Sequence, residues 1–140
     1  LRIARRKSMP TIIRKTRDSL MEVRRDVLHS ISWQVRSSVW SPPTDEYETE
    51  AAYIVRVEIA GMREENFEIA IENSTLFISG LRPDKHERRA YQQMEIRFGK
   101  FATAVNLPGP VDVDQSLAEY QDGFLTVTLP KQKPNQIKVE

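Results

Sequence analysis

Residues that most often do chemistry are sparse in this 140-residue chain, and their spacing does not bring them together. There is no cysteine, so thiolate catalysis, a Cys-ligated metal and disulfides are excluded. Nucleophilic catalysis needs an activated Ser, Thr or Cys beside a base, and metal catalysis needs several ligands drawn together. The only imidazoles are His29, in a helical pattern, and His86, in a charged loop. Carboxylates pair at Glu64-Glu65, at Asp112 with Asp114 and at Glu46 with Glu48. Spacing alone leaves a glycosidase pair open, yet each pair sits at a turn or on a solvent face, where hydration is the simpler role. No Gly-x-x-x-x-Gly-Lys loop or other Gly-rich nucleotide fingerprint is present, and the five glycines, at 61, 80, 99, 109 and 123, fall where turns are expected. The expectation is a protein that is not an enzyme, uses no cofactor or metal, and acts through its surfaces.

One short pattern suits a surface. Ile137 and Val139 are two residues apart, so in an extended strand both side chains point the same way with Lys138 opposite. The tripeptide is either a plug awaiting a groove or a tail with chance apolar residues, and spacing leaves both open.

The elements that position these residues change character near Pro42-Pro43. From Thr11 to Val39 the apolar residues Ile13, Leu20, Val23, Val27, Ile31 and Val35 recur at three, four or seven, which predicts one stripe of an α-helix. Arg14, Arg25 and Arg36 fall on the opposite side, and Trp33 and Trp40 project there as well. After Ser41-Pro42-Pro43 the period becomes two. Tyr53, Val55, Val57 and Ile59 share a face; Phe67, Ile69 and Ile71 alternate with Glu68, Ala70 and Glu72; Met94, Ile96 and Phe98 precede Gly99; and Leu125, Val127 and Leu129 follow the Asp122-Gly123 turn. Leu76 and Ile78 lie on a strand expected to end at Gly80. Seven or eight such strands predict an all-β, immunoglobulin-like antiparallel β-sandwich. Between Leu81 and Gln92, the polar run containing Arg82, His86, Arg88, Arg89 and Tyr91 is a solvated loop or an exchanged edge.

Charge divides the chain in the same place. Residues 1–43 carry ten Lys or Arg against three acids, and residues 44–140 carry eleven against seventeen. A basic arm therefore faces an acidic body, its own or a neighbour's. Three roles for the arm stay open: packing inside an oligomer, meeting a membrane surface or nucleic acid through its arginines, or offering apolar patches at Ile12, Ile13, Trp33, Val35, Val39 and Trp40 to unfolding proteins. No run of signal-peptide or membrane-span length occurs, and the expected location is cytoplasmic.

Five segments in order carry a resemblance. Tyr53–Met62 with its Ala60-Gly61 turn, Phe98-Gly99-Lys100-Phe101, Leu107-Pro108, the Ala118–Leu125 run ending Asp122-Gly123-Phe124-Leu125, and Ile137-x-Val139 together resemble the small heat-shock (α-crystallin) family over about residues 45–139. Phe124 departs from the aliphatic residue usual there, and the Arg82–Tyr91 loop is short for members that exchange a strand. The resemblance implies an ATP-independent chaperone that holds partly unfolded proteins, built as a homo-oligomer of dimers. It divides the chain into an arm over 1–43, helical or partly disordered, an α-crystallin-type sandwich over 44–130 and an extended tail over 131–140. Ile137 and Val139 become the oligomerisation anchor, received between the strands bearing Phe67, Ile69, Ile71 and Leu125, Val127, Leu129, and Arg82, His86, Arg88, Arg89 and Tyr91 become the dimer loop. The alternatives are a co-chaperone adaptor of the related sandwich type and a membrane- or nucleic-acid-associated protein acting through the basic arm.

Overall fold

The computed structural model describes residues 2–4 as backbone and residues 38–85, 87 and 89–133 in full. The expected helix over Thr11–Val39 lies almost wholly outside the described residues; at its end, Val39 and Trp40 are not helical. Eight strands follow one another as β1 (Arg2–Ala4), β2 (Thr44–Glu48), β3 (Ala52–Glu58), β4 (Phe67–Glu72), β5 (Thr75–Arg82), β6 (Gly99–Asn106), β7 (Leu117–Gln121) and β8 (Phe124–Pro130). They form a five-stranded sheet in the order β1-β7-β8-β3-β2 and a three-stranded sheet in the order β4-β5-β6. Every strand pairing is antiparallel except β1 with β7.

The period of two explains why these strands form and how they stack. In β3, Tyr53, Val55 and Val57 point inward, and opposite them in register on β8 lie Leu129, Val127 and Leu125. The second sheet answers with Phe67 and Ile69 of β4, Leu76 and Ile78 of β5, and Phe101 and Val105 of β6. Together they make one core, in which Val55, Val57, Leu76, Ile78, Leu125, Val127 and Leu129 have no exposed surface, and at roughly 25 cal/mol per Å² this apolar burial is the main force holding the sheets together. An aromatic chain runs through it, with ring centroids 5.1 Å apart for Phe67 and Tyr120, 6.1 Å for Phe67 and Phe101 and 5.8 Å for Trp40 and Phe101. Tyr120 buries its ring but keeps its hydroxyl satisfied, donating to the Ile59 carbonyl (2.8 Å) and accepting from the Met62 N–H (3.2 Å).

Turn chemistry sets the register. Asn73 and Ser74 (φ 49° and 63°) join β4 to β5, and Asp122 and Gly123 (φ 52° and 82°) join β7 to β8; two consecutive positive φ values match the right-handed twist of the strands they connect. Gly80 corrects an expectation. It lies inside β5, which continues to Arg82, because its backbone passes so close to β6 and the 3-10 turn Glu64–Asn66 that a Cβ would stand 2.5 Å from the Asn66 carbonyl oxygen and 2.7 Å from Phe101 Cζ.

The sandwich reaches beyond 44–130 at both ends. The Trp40 N–H donates to the Lys100 carbonyl (3.1 Å) and its carbonyl accepts from Ala102 N–H (2.9 Å), so Trp40 lies alongside β6 as an added rung. At the other end Lys131 bridges to Val111, and its ammonium meets Glu48 at 2.7 Å, tying the end of β8 to β2.

Candidate functional site

A sandwich carries unused bonding capacity at its strand edges, where a row of N–H and C=O groups lacks a ladder partner. Those edges are therefore where a second chain can be received. The β6 edge is met by Trp40 at Lys100–Ala102, and β7 is flanked on its outer side by β1. The edge of the large sheet at β2 has β3 on one side only, and four of its five residues, Asp45, Glu46, Tyr47 and Glu48, are exposed.

Beside this edge chemistry stands an apolar segment without a ladder. Sequence periodicity predicts a strand through Met94, Ile96 and Phe98, yet 90–98 pairs with no strand among the described residues. Met94 is 67% exposed, Ile96 66% and Phe98 37%, at alternate positions with Glu95 and Arg97 between them. That alternation is the side-chain pattern of a strand with one apolar face.

Arg82, the last residue of β5, holds the base of the segment. Its guanidinium lies 4.5 Å from the Trp40 ring centroid and 5.3 Å from that of Phe98, donates through Nε to the Arg97 carbonyl (2.8 Å) and through a second nitrogen to the same oxygen, and reaches the Ala60 carbonyl at 3.4 Å. The cation thus clamps the exit of 90–98 onto the core. Nearer the loop tip Arg89 bridges Asp84 (3.2 Å), Glu87 (3.3 Å) and the Tyr91 hydroxyl (2.8 Å). The bond to Tyr91 first, and then that to Asp84, holds the Arg89 guanidinium above the ordinary arginine range. His86 and Arg88 lie outside the described residues.

The acceptor groove expected from sequence needs correction. Leu125, Val127 and Leu129 have no exposed surface, and Phe67 and Ile69 are 5% and 2% exposed, so they fill the core rather than line an open channel; Ile71 is half-buried against it. For Leu125, Val127 and Leu129 the reason is strand order, whereas β4, which bears Phe67, Ile69 and Ile71, is an edge of the smaller sheet. β8 lies between β3 and β7, and an interior strand has no free side to offer. The edge is one strand further out, at β7. Sequence reasoning missed this although the Asp122-Gly123 hairpin makes β7 and β8 neighbours, so that only one of them can be an edge.

Two of the expected client-binding residues are also corrected. Val39 and Trp40 are each 8% exposed, Val39 packed with Phe77 and Ala102 and Trp40 between Phe101 and Arg82. Once Trp40 joins β6 its ring has nowhere to go but the core. Ile12, Ile13, Trp33, Val35, Ile137 and Val139 lie outside the described residues.

No metal-holding cluster of three or more His, Cys, Asp or Glu occurs among the described residues, and none of their helices is long and apolar enough to cross a membrane. The hollow over β4 and β5, about 240 Å³, is lined by Glu65, Asn66, Glu68, Ser79, Gly80, Leu81 and Lys100.

Two sheets in this strand order, with a long charged connection between β5 and β6 and apolar residues along it, define an α-crystallin type of β-sandwich. The chain belongs to the Hsp20/alpha crystallin family, whose model matches residues 45–140. It is 30% identical over 104 residues to small heat shock protein C4 of Rickettsia felis, spanning 73% of this chain and 64% of that protein, and so covers just under two thirds of that relative. It is 34% identical over 102 residues to heat shock protein 16 of Schizosaccharomyces pombe, spanning 70% of this chain and 71% of the relative. The solved structure of heat shock protein 16.0 from Schizosaccharomyces pombe superposes with a TM-score of 0.60 at 30% identity, covering 71% of this chain and 98% of that one.

Proposed function

We propose that this protein is an ATP-independent chaperone that holds partly unfolded proteins and keeps them from aggregating, acting in the cytoplasm as a homo-oligomer of dimers. The observation that carries this is the distribution of exposed apolar surface. Of the seven large hydrophobic side chains exposed on the described residues, five (Leu81, Tyr91, Met94, Ile96 and Phe98) fall between residues 81 and 98, so the apolar surface is gathered rather than scattered.

The same surface serves two purposes in turn. In the resting assembly, the 92–98 segment of one copy adds to the open β2 edge of a second, where its one arginine, Arg97, meets an edge bearing Asp45, Glu46 and Glu48. Each buried aliphatic side chain contributes about 1.5–3 kcal/mol, offset by the ordering of a long loop, so the dimer is reversible. Tails bearing Ile137 and Val139 join dimers by docking on the β7 edge of neighbours, and many weak contacts together give a stable particle whose subunits still exchange. Heat loosens these contacts and exposes Met94, Ile96 and Phe98, with Ile12, Ile13, Trp33 and Val35 of the arm, to a client's own exposed core. Client bound there is withdrawn from the aggregating pool by mass action.

The test is direct. An unrelated enzyme heated with an equimolar amount of this protein and no nucleotide should scatter little light, whereas unhindered aggregation would refute the holding role. An adaptor would instead capture one specific partner from unheated extract and leave the heated enzyme to aggregate.

A further inference from the structure

We propose that the β1 strand, Arg2–Ala4, is a displaceable occupant of the β7 edge that competes with the C-terminal Ile137-Lys138-Val139 tripeptide of a neighbouring copy. This rests on the tail docking proposed above and adds a control to it. β1 runs parallel to β7 with Arg2 opposite Leu117, Ile3 opposite Ala118 and Ala4 opposite Glu119. A strand edge carries one row of donors and acceptors and admits one strand at a time. Of the five strands in this sheet only β2 and β7 can act as edges for the folded body, and β7 is the one already taken.

The occupant and its rival are alike in sequence. Leu1-Arg2-Ile3 and Ile137-Lys138-Val139 are both apolar-basic-apolar tripeptides in the sequence. Glu119, exposed at the middle of β7, gives this edge an acidic residue. Three residues of ladder are few against the ordering of the chain that tethers them, so the contact persists through its high local concentration and yields to a rival presented many times over on a particle. While β1 is docked, the affinity of β7 for a tail falls by the fraction of time the edge is free. The arm thereby restrains assembly until enough tails are present.

The experiment uses the full chain carrying Ile137→Ser and Val139→Ser, so that its own tails do not compete, with a fluorescent peptide of residues 131–140 as probe. Adding Ile3→Pro, which removes a backbone donor and bars a regular strand, should tighten peptide binding about tenfold and speed amide hydrogen exchange across Leu117–Gln121 by a similar factor. Ile3→Asp should do the same in smaller measure, and circular dichroism confirms that both remain folded. Unchanged exchange at β7 in both variants overturns the inference, whatever the peptide does. Faster exchange with no peptide binding removes the tail as rival and so overturns the competition, leaving β1 a cap; faster exchange with tighter binding sustains it.

Discussion

At the scale of single residues, the fold depends most on places where two strands come closer than a side chain allows. Gly80 is the tightest of these. Because a Cβ there would meet the Asn66 carbonyl and the Phe101 ring, neither of which is the free end of a flexible chain, Gly80→Ala should lower the stability of the sandwich by about 2 kcal/mol, read as a lower urea midpoint. A midpoint equal to that of the parent would show that β5 and β6 can part at no cost. Lys131 offers a second test. Its hydrogen bond with Glu48 holds the ammonium above the ordinary lysine range. A group whose folded value is raised adds stability below its unfolded value and loses it as pH climbs through the folded one, so this clasp is complete at neutral pH and is released only in the alkaline range. In a carbon-13 titration, Lys131 should titrate at higher pH in the parent than in Glu48→Gln; coincident titration in the two would contradict the contact. At this scale the sequence is a partial guide. Asp122-Gly123 announces its turn, but nothing in the residues around Gly80 tells a tight crossing inside a strand from a turn at its end, since a glycine serves both.

Among the elements, the segment between β5 and β6 matters most, and Arg82 is the residue that positions it. Two ring contacts of roughly 0.5–1 kcal/mol each, with the hydrogen bonds to Arg97, fix where 92–98 leaves the core. Arg82→Ala should therefore raise the dimer dissociation constant about tenfold, measured by analytical ultracentrifugation, while Arg82→Lys recovers little because an ammonium cannot fork onto one carbonyl and stack on two rings. A dissociation constant unchanged in Arg82→Ala would mean that the segment needs no clamp. The inward faces of β3, β4, β5 and β8 were legible from alternation, because burial of one face imposes a period of two. Strand order was not, since Leu125, Val127 and Leu129 show the same alternation whether β8 lies inside a sheet or at its edge. Met94, Ile96 and Phe98 carry a strand's pattern with no ladder among the described residues, which fits the proposed pairing with another copy.

For the whole molecule, the charge imbalance is a force between copies in the proposed assembly. Residues 1–43 hold ten basic residues against three acidic ones, and the remainder holds the acidic surplus, so arms and bodies attract across distances that salt shortens. Raising sodium chloride from about 50 mM to about 500 mM, where the screening length falls below about 5 Å, should quicken subunit exchange several-fold, followed by energy transfer between labelled particles, and should leave suppression of client aggregation nearly unchanged, since that depends on apolar contact. Loss of suppression in step with exchange would instead assign client binding to the arginines.

The absence of cysteine makes the central claim open to a single trapping measurement. Ile96→Cys protein is mixed with Asp45→Cys, Glu46→Cys, Tyr47→Cys or Glu48→Cys protein and mildly oxidised, because paired strands bring Cα atoms to about 4.5–5.5 Å, within reach of a disulfide. If open edges joined between copies are the working parts, one or two of the four mixtures should form a covalent heterodimer in high yield, with neighbouring positions alternating between strong and weak. Equal, low yields at all four positions would contradict the account.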